Sequence, residues 1–277
     1  MQGEKRGLSF WILAGFFGLF VLFLYGPLSA IFILSFQGPG GGLTFPMQGA
    51  SLNWFRELFV AQAVGDLGGS FGRSITLGLM VMAVTVLVSL LAGLAFRRPF
   101  WGSAFLFYLT VASLIVPSIL MSLGIGLMFN VMGIRAAWWS SAFAAHLTWT
   151  LPFGLLIMFA VFNRFNRSYE EAARDLGATP WQTFRYVVLP LVLPSLIGVG
   201  LFGFSLSYDE FARTLMTAGS FNTLPLEIYG MTTNVTSPIL YALGTLTTVF
   251  SLLIVLGALF AIGAVRRRRS RGLLPGG

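Results

Sequence analysis

Six long stretches of this chain are apolar enough to cross a lipid bilayer, and that pattern restricts the fold before anything else is considered. A spanning helix needs roughly 20 mostly apolar residues to cover about 30 Å of hydrocarbon. The stretches fall at residues 8–36, 74–96, 102–132, 138–162, 186–208 and 239–265. Only 9% of the 277 residues are charged and 56% are hydrophobic, whereas soluble domains carry about 25% charged residues. Too few charges remain to cover a water-facing surface, so most of the outside must face lipid. Hydrocarbon offers no hydrogen-bond partners, and helices satisfy their own backbone there. The expectation is an all-α fold, a polytopic membrane helical bundle of about six transmembrane helices forming a single transmembrane domain over residues 1–277. Lys5 and Arg6 precede an apolar run longer than the ~7–15 residues of a cleavable signal core, so that run reads as a first membrane anchor.

The charges orient the bundle. With the N-terminus in the cytoplasm and sides alternating, cytoplasmic segments hold 13 of the 17 basic residues: Lys5, Arg6, Arg97, Arg98, Arg164, Arg167, Arg174, Arg185, Arg266, Arg267, Arg268, Arg269 and Arg271. Arg56, Arg73, Arg135 and Arg213 fall outside. The positive-inside bias therefore predicts both termini cytoplasmic, and the net charge of +8 is accounted for without nucleic acid. There is no cysteine and one histidine, which leaves a poor donor set for a protein metal site.

Breakers and kinks punctuate the runs. Gly26-Pro27 is an expected kink in the first span, and Pro117 interrupts the third. Trp138 and Trp139 open the fourth as an interfacial anchor. After the Gly-rich turn at residues 38–42, Ser51 is placed to cap a short helix with Leu52, Phe55 and Phe59 on one face. Such a helix either lies on the outer membrane surface or packs within the fold.

The longest cytoplasmic loop, residues 163–185, has its own architecture. Ser168 and Glu171 fit a capping box, so a helix is expected to begin near Tyr169. Ala172, Ala173 and Leu176 give it a small apolar stripe, and Gly177 can end it with positive φ. Thr179 is placed to cap a second helix, with Pro180 in its first turn. The result is a helical hairpin whose small side chains let another protein approach the backbone, although an ordinary surface hairpin has the same ingredients. The spacing adds more: Glu171-Ala172-Ala173, three residues, Gly177, nine residues, Val187, then Leu189-Pro190. This resembles the signature loop of ABC-importer permeases of the binding-protein-dependent type, with Val in place of Ile. Two further stretches, Phe204-Ser-Leu-Ser-Tyr208-Asp209-Glu210 and Leu224-Pro225-Leu226-Glu227-Ile228-Tyr229, with His146-Leu-Thr-Trp149-Thr-Leu-Pro152-Phe153 before them, are similar to the spermidine/putrescine-like branch and its second permease subunit.

The resemblance implies a multi-pass protein of the bacterial inner membrane that forms half of a translocation path for a small organic solute. A polyamine-like solute comes first, and an opine or amino-acid derivative second. It implies that Glu171, Ala172, Ala173, Gly177, Leu189 and Pro190 belong to a loop that docks on an ATP-binding-cassette ATPase dimer. The implied partners are that dimer, a second, non-identical permease, a periplasmic or lipid-anchored solute-binding protein and membrane lipid. ATP and Mg would sit on the partner ATPase. The chain has no phosphate-binding loop of its own, because its single lysine, Lys5, has no Gly-rich context. Two departures bear on the solute. Polyamine permeases carry an acidic residue where this chain has Ser118 after Pro117, and their Asn-Ser at the start of the second span is Arg73-Ser74 here.

Polar groups at membrane depth usually face a bundle interior or a cavity. Asp209 and Glu210, beside Tyr208, end the fifth span on the outer side, either as solute contacts or as a solvated helix end. His146 reads as an imidazole bonded to a neighbouring helix or as a gating contact. Trp149 offers a face to a cationic solute or packs in the core. Pro117, Pro152, Pro190 and Pro194 release carbonyls that line a path or shape the bundle. A passive channel predicts a ring of pore-lining polar residues with no use for the hairpin. A membrane enzyme predicts His, Asp or Glu clustered at one depth, which the sequence pattern lacks.

Overall fold

The computed structural model describes residues 7–60, 65–234 and 237–272. Lys5 and Arg6 lie outside them, as do the side chains of residues 266–269 and 271. Among the described residues there is no strand, and the extended pairing is a lone bridge between Gln37 and Ala50. The helices are α1 (Leu8–Leu34), α2 (Asn53–Val60), α3 (Leu67–Ala95), α4 (Ser103–Ala112), α5 (Ser118–Val131), α6 (Phe143–Asn163), α7 (Ser168–Asp175), α8 (Pro180–Thr183), α9 (Leu189–Tyr208), α10 (Leu224–Asn234) and α11 (Ile239–Gly272). One π-helical turn, Trp138–Ala142, leads into α6, and another, Phe184–Val188, joins α8 to α9.

Among the described residues, five continuous helical stretches are long and apolar enough to cross a membrane: Leu8–Leu34, Leu67–Ala95, Trp138–Asn163, Pro180–Tyr208 and Ile239–Gly257. The third expected span is divided instead into α4 and α5, of 10 and 14 residues. Neither alone covers 30 Å at about 1.5 Å per residue. Pro117 supplies the reason: it cannot donate to the preceding turn and sits extended, at φ −56° and ψ 133°, just before α5. The chain passes through Pro27, Pro152 and Pro194 without ending α1, α6 or α9. Pro190 lies in the first turn of α9, where no backbone donor is needed. Helix α3 begins seven residues before the expected start because Asp66 caps it, its carboxylate accepting from Gly69 N at 2.9 Å. The fifth span likewise begins earlier than expected, running on from α8 without a break.

The chain divides into two compact units. The first comprises Met1–Gly65 and Gly230–Phe250. Here Gln37 is fully buried and organises the loop after α1, donating to Gly42 O at 3.1 Å and accepting from Gln48 N at 2.7 Å. Tyr241 donates to Leu43 O at 2.7 Å. Ser51 accepts from Asn53 N, as its capping role requires, but the buried residue of α2 is Leu58; Leu52 and Phe59 are exposed. Of the expected face, Phe55 is half-buried against Phe36, with ring centroids 5.3 Å apart, while Leu52, just before the helix, and Phe59 stand outward.

The second unit comprises Asp66–Tyr229 and Ser251–Gly277, and its core is the packing of α3, α6 and α9. Met158, Phe162, Val188, Val192, Leu196 and Val199 form the apolar cluster toward the hairpin end. Further along, small and hydroxyl residues take over: Ser70, Ser74, Gly78, Thr85, Ser89 and Gly93 are the buried small and polar positions of α3. Thr85 donates to Thr150 at 3.0 Å. At Gly154 a Cβ would lie 2.3 Å from Ser89 Oγ and 2.9 Å from Thr85 Cγ2. The backbones thus approach more closely than any larger residue permits, which is how helices associate where lipid removes the hydrophobic drive.

Candidate coupling hairpin and solute path

The hairpin between α6 and α9 forms as the sequence predicts in its second half and differently in its first. Thr179 and Gln182 make a reciprocal capping box: Gln182 N donates to Thr179 Oγ1 at 3.3 Å, and Thr179 N donates to Gln182 Oε1 at 2.8 Å. Gly177 takes φ +84° and ends α7, its N–H donating to Arg174 O at 2.8 Å. The Ser168–Glu171 capping box does not form. Ser168 already lies inside α7, and Asn166 Oδ1 accepts its N–H at 3.0 Å. Arg167, just before the helix, is pinned by donating to Arg97 O at 2.7 Å, which lets the helix start one residue early. Glu171, Ala172 and Gly177 are exposed, Ala173 is half-buried, and Leu189 and Pro190 are half-buried at the root of α9. Leu176 is 89% exposed and Trp181 64%, so the hairpin holds out an apolar surface beside its small residues.

Beneath that surface lies a pair the sequence reading missed. Arg97, just past the end of α3, meets Glu170 in the first turn of α7 through two hydrogen bonds, one from Nη1 at 2.9 Å. Each side chain is 14% exposed. The Arg97 hydrogen bonds hold the Glu170 carboxyl below its usual range, against the opposing effect of partial burial. In sequence, Arg97 reads only as a topology signal, and the acid at Glu170 in the cytoplasmic loop is the available clue.

At the other end of the unit, the loop after α9 folds inward rather than over the surface. Arg213, placed outside by the charge count, has 3% of its side chain exposed. Its Nη1 donates to Ser118 Oγ at 2.8 Å and faces Glu210 Oε2 at 3.4 Å; its Nε donates to Thr148 Oγ1 at 3.3 Å. The guanidinium lies over the Trp149 ring, 4.5 Å from its centroid. Glu210 also accepts from Arg213 N at 2.8 Å. A broken helix makes room for this. Pro152 has no N–H to give Thr148 O, and Ser113, in the break between α4 and α5, donates to that carbonyl at 3.2 Å.

His146 belongs to the same cluster. It is fully buried, with Nδ1 2.8 Å from Ser207 Oγ and Nε2 2.9 Å from Thr214 Oγ1. Thr214 donates its own proton to Glu210 O at 2.7 Å, so it accepts from His146 Nε2–H, and Ser207 donates to Nδ1. A single imidazole proton satisfies both bonds. Of the candidate path residues, His146, Ser118 and Glu210 are thus hydrogen-bonded into one network with Arg213 and Thr214, and Trp149 is stacked on it. Trp149 Nε1 is buried with no hydrogen-bond partner among the described residues. Tyr208 is buried, stacked on Phe204 with ring centroids 5.9 Å apart. Asp209 caps α9 with an exposed side chain. Arg213 is the member of this cluster that sequence reasoning most clearly missed. Its spacing of three from Glu210, in a loop dense in Thr, was the signal.

Comparison with known proteins bears on both features. Residues 85–271 match the family model described as binding-protein-dependent transport system inner membrane component. The spermidine/putrescine transport system permease protein PotC of Escherichia coli is 28% identical over 246 residues, covering 88% of this chain and 91% of that protein. PotC of Haemophilus influenzae is 29% identical, covering 84% and 89%, and the putrescine transport system permease protein PotI of Escherichia coli is 27% identical, covering 88% and 85%. Among solved structures, a bacterial alginate ABC transporter in complex with alginate pentasaccharide-bound periplasmic protein aligns with a TM-score of 0.65 over 94% of both chains at 15% identity. The inward-facing MetNI methionine ABC transporter aligns at 0.55 and 18% identity, over 72% of this chain and 94% of that one. With more than half of its length inside the family model, this chain belongs to the binding-protein-dependent transport system inner membrane components, as a permease subunit of an ABC importer.

Proposed function

We propose that the chain forms half of an ATP-driven translocation path for a small organic solute, polyamine-like in the first instance. The observation that carries this is the hairpin: the Glu171-Ala172-Ala173…Gly177 pattern stands largely exposed between two spanning helices, with an apolar surface that none of the described residues covers. The likeness to spermidine/putrescine permeases over 88% of the chain supports the solute class. In this reading both termini are cytoplasmic, a second, non-identical permease completes the path, and a binding protein delivers solute from outside. Closure of a partner ATPase dimer on ATP and Mg pushes the hairpin, and the cavity turns from one side of the membrane to the other. Asp209, exposed at the end of α9, is the carboxylate open to a cationic solute.

A second reading is favoured by one observation. Glu210 is neutralised by Arg213, and Arg213 also takes the hydroxyl of Ser118, where polyamine permeases have an acid. A polycation crossing here finds no unpaired buried carboxylate to offset its lost hydration, at a cost that grows as water is excluded. A zwitterionic amino-acid derivative meets less opposition. The test is purification of the chain with its co-purifying subunits into lipid vesicles, followed by uptake and ATP hydrolysis with putrescine, spermidine and zwitterionic solutes. Stimulation by polyamines supports the first reading, and stimulation by zwitterions alone supports the second. Absence of any co-purifying ATPase overturns both.

A further inference from the structure

We propose that Arg97 and Glu170 form a strut that carries movement of the hairpin directly into α3, which makes them positioning residues for coupled transport. The proposal rests on reading the hairpin as the docking point of the ATPase. Helices α6 and α9 are joined to the hairpin by the chain itself, so a push on α7 reaches them through short connections. Helix α3 has no such connection, although it packs against both and contributes the buried hydroxyl stripe. Its link is the ion pair. The Arg97 fork grips both oxygens of Glu170, and such a bidentate contact resists rotation as well as separation.

The surroundings stiffen this link. The Arg97 guanidinium lies over the rings of Phe162 and Phe165, at 5.3 and 5.1 Å from their centroids. The Arg97 carbonyl accepts from Arg167, immediately before α7. The end of α3 is thus clamped from α6, from the connection and from α7 at once. Both charges are largely shielded from solvent, so salt screens the pair less than an exposed one. Glu170 is adjacent to Glu171-Ala172-Ala173, so a displacement of that face is a displacement of Glu170. A hairpin that moves α6 and α9 but leaves α3 behind would shear Thr85 from Thr150 and close the narrow gap at Gly154; the strut makes the three helices travel together.

The test uses the complete transporter in lipid vesicles, comparing solute-stimulated with solute-independent ATP hydrolysis and with uptake. Glu170→Gln keeps the shape and removes the charge. The expected result is an assembled complex whose solute-independent hydrolysis persists while stimulation and uptake fall about tenfold, equivalent to about 1.4 kcal/mol of lost coupling. The exchange R97E/E170R is expected to recover most of the loss, and Glu170→Asp part of it. Wild-type stimulation in Glu170→Gln overturns the strut, as does an assembled but inert exchange variant. Failure of Glu170→Gln to assemble overturns it too, by reducing the pair to a folding requirement. If hydrolysis by the wild-type complex ignores solute altogether, the reading of the hairpin itself falls.

Discussion

Arg213 puts a full positive charge among Ser118, Thr148, Trp149 and Glu210 with almost none of its side chain exposed. Removing one partner of a buried pair leaves the other uncompensated, typically at about 3–5 kcal/mol, whereas replacing both with apolar groups is often neutral. Glu210→Leu is therefore expected to lower the thermal unfolding temperature of the purified protein markedly, and E210L/R213M to recover most of it. Equal losses in the single and double variants would show that the cluster does not hold the loop. Gly177 tests a different residue-scale cause. Nothing lies within 4 Å of a Cβ built there, but its φ of +84° costs a side chain roughly 1–2 kcal/mol. Gly177→Ala is expected to weaken solute-stimulated ATP hydrolysis mildly and Gly177→Val severely, with both proteins still in the membrane. Equal activity in all three would remove the turn from the mechanism.

The elements differ in how far their sequences disclosed them. The apolar runs located all five long helices, because length and hydropathy are local properties, and Gly177, Thr179 and Pro180 marked the hairpin's turn because capping is decided within a few residues. What stayed hidden depended on distant partners. Pro117 announced an interruption, but the separation of α4 from α5 is sustained by Ser113 bonding Thr148 O and by Ser122 bonding Arg213 O, contacts no periodicity reveals. The start of α7 moved because Arg167 is held by Arg97, 70 residues away. For Asp209 and Glu210 the sequence leaves a solute contact and a solvated helix end both open, yet Glu210 pairs with Arg213 and the threonines that follow bond their own backbone. At the level of helix packing, Gly154 is the sharpest test. A Cβ there would stand well inside contact distance of Ser89 and Thr85, and overpacking typically costs about 1–3 kcal/mol. Gly154→Val should reduce both stability in detergent and transport. G154V with Ser89→Gly and Thr85→Ala should regain stability, and an undisturbed single variant would mean that the three helices pack more loosely than described.

For the molecule as a whole, the decisive question is whether this chain alone provides a route through the membrane. A conducting pore requires a continuous polar lining, since moving an isolated charge into hydrocarbon costs far more than thermal energy. The buried polar cluster around Arg213 is filled by the chain's own groups: Arg213 occupies the face of Trp149 and the carboxylate of Glu210, and the single proton of His146 is committed between Ser207 and Thr214. A cluster satisfied in this way holds helices together and leaves no string of open sites for a solute to follow. Two groups stand outside this pairing: Asp209, exposed at the end of α9, and the buried indole N–H of Trp149, which has no acceptor among the described residues. On the proposed function they become a path once a second subunit supplies the facing wall and an ATPase supplies the motion. Vesicles holding the purified chain alone are therefore expected to be as impermeable to putrescine and to zwitterionic amino acids as empty vesicles. Vesicles holding the full complex are expected to accumulate solute only with ATP inside and binding protein outside. In that complex Asp209→Asn should raise the concentration of a cationic solute needed for half-maximal uptake several-fold, as expected for loss of a partly screened charge pair, while leaving a zwitterion with no need of that carboxylate unaffected. Solute entering vesicles that hold this chain and nothing else would make it a channel, and the exposed hairpin would then need another purpose.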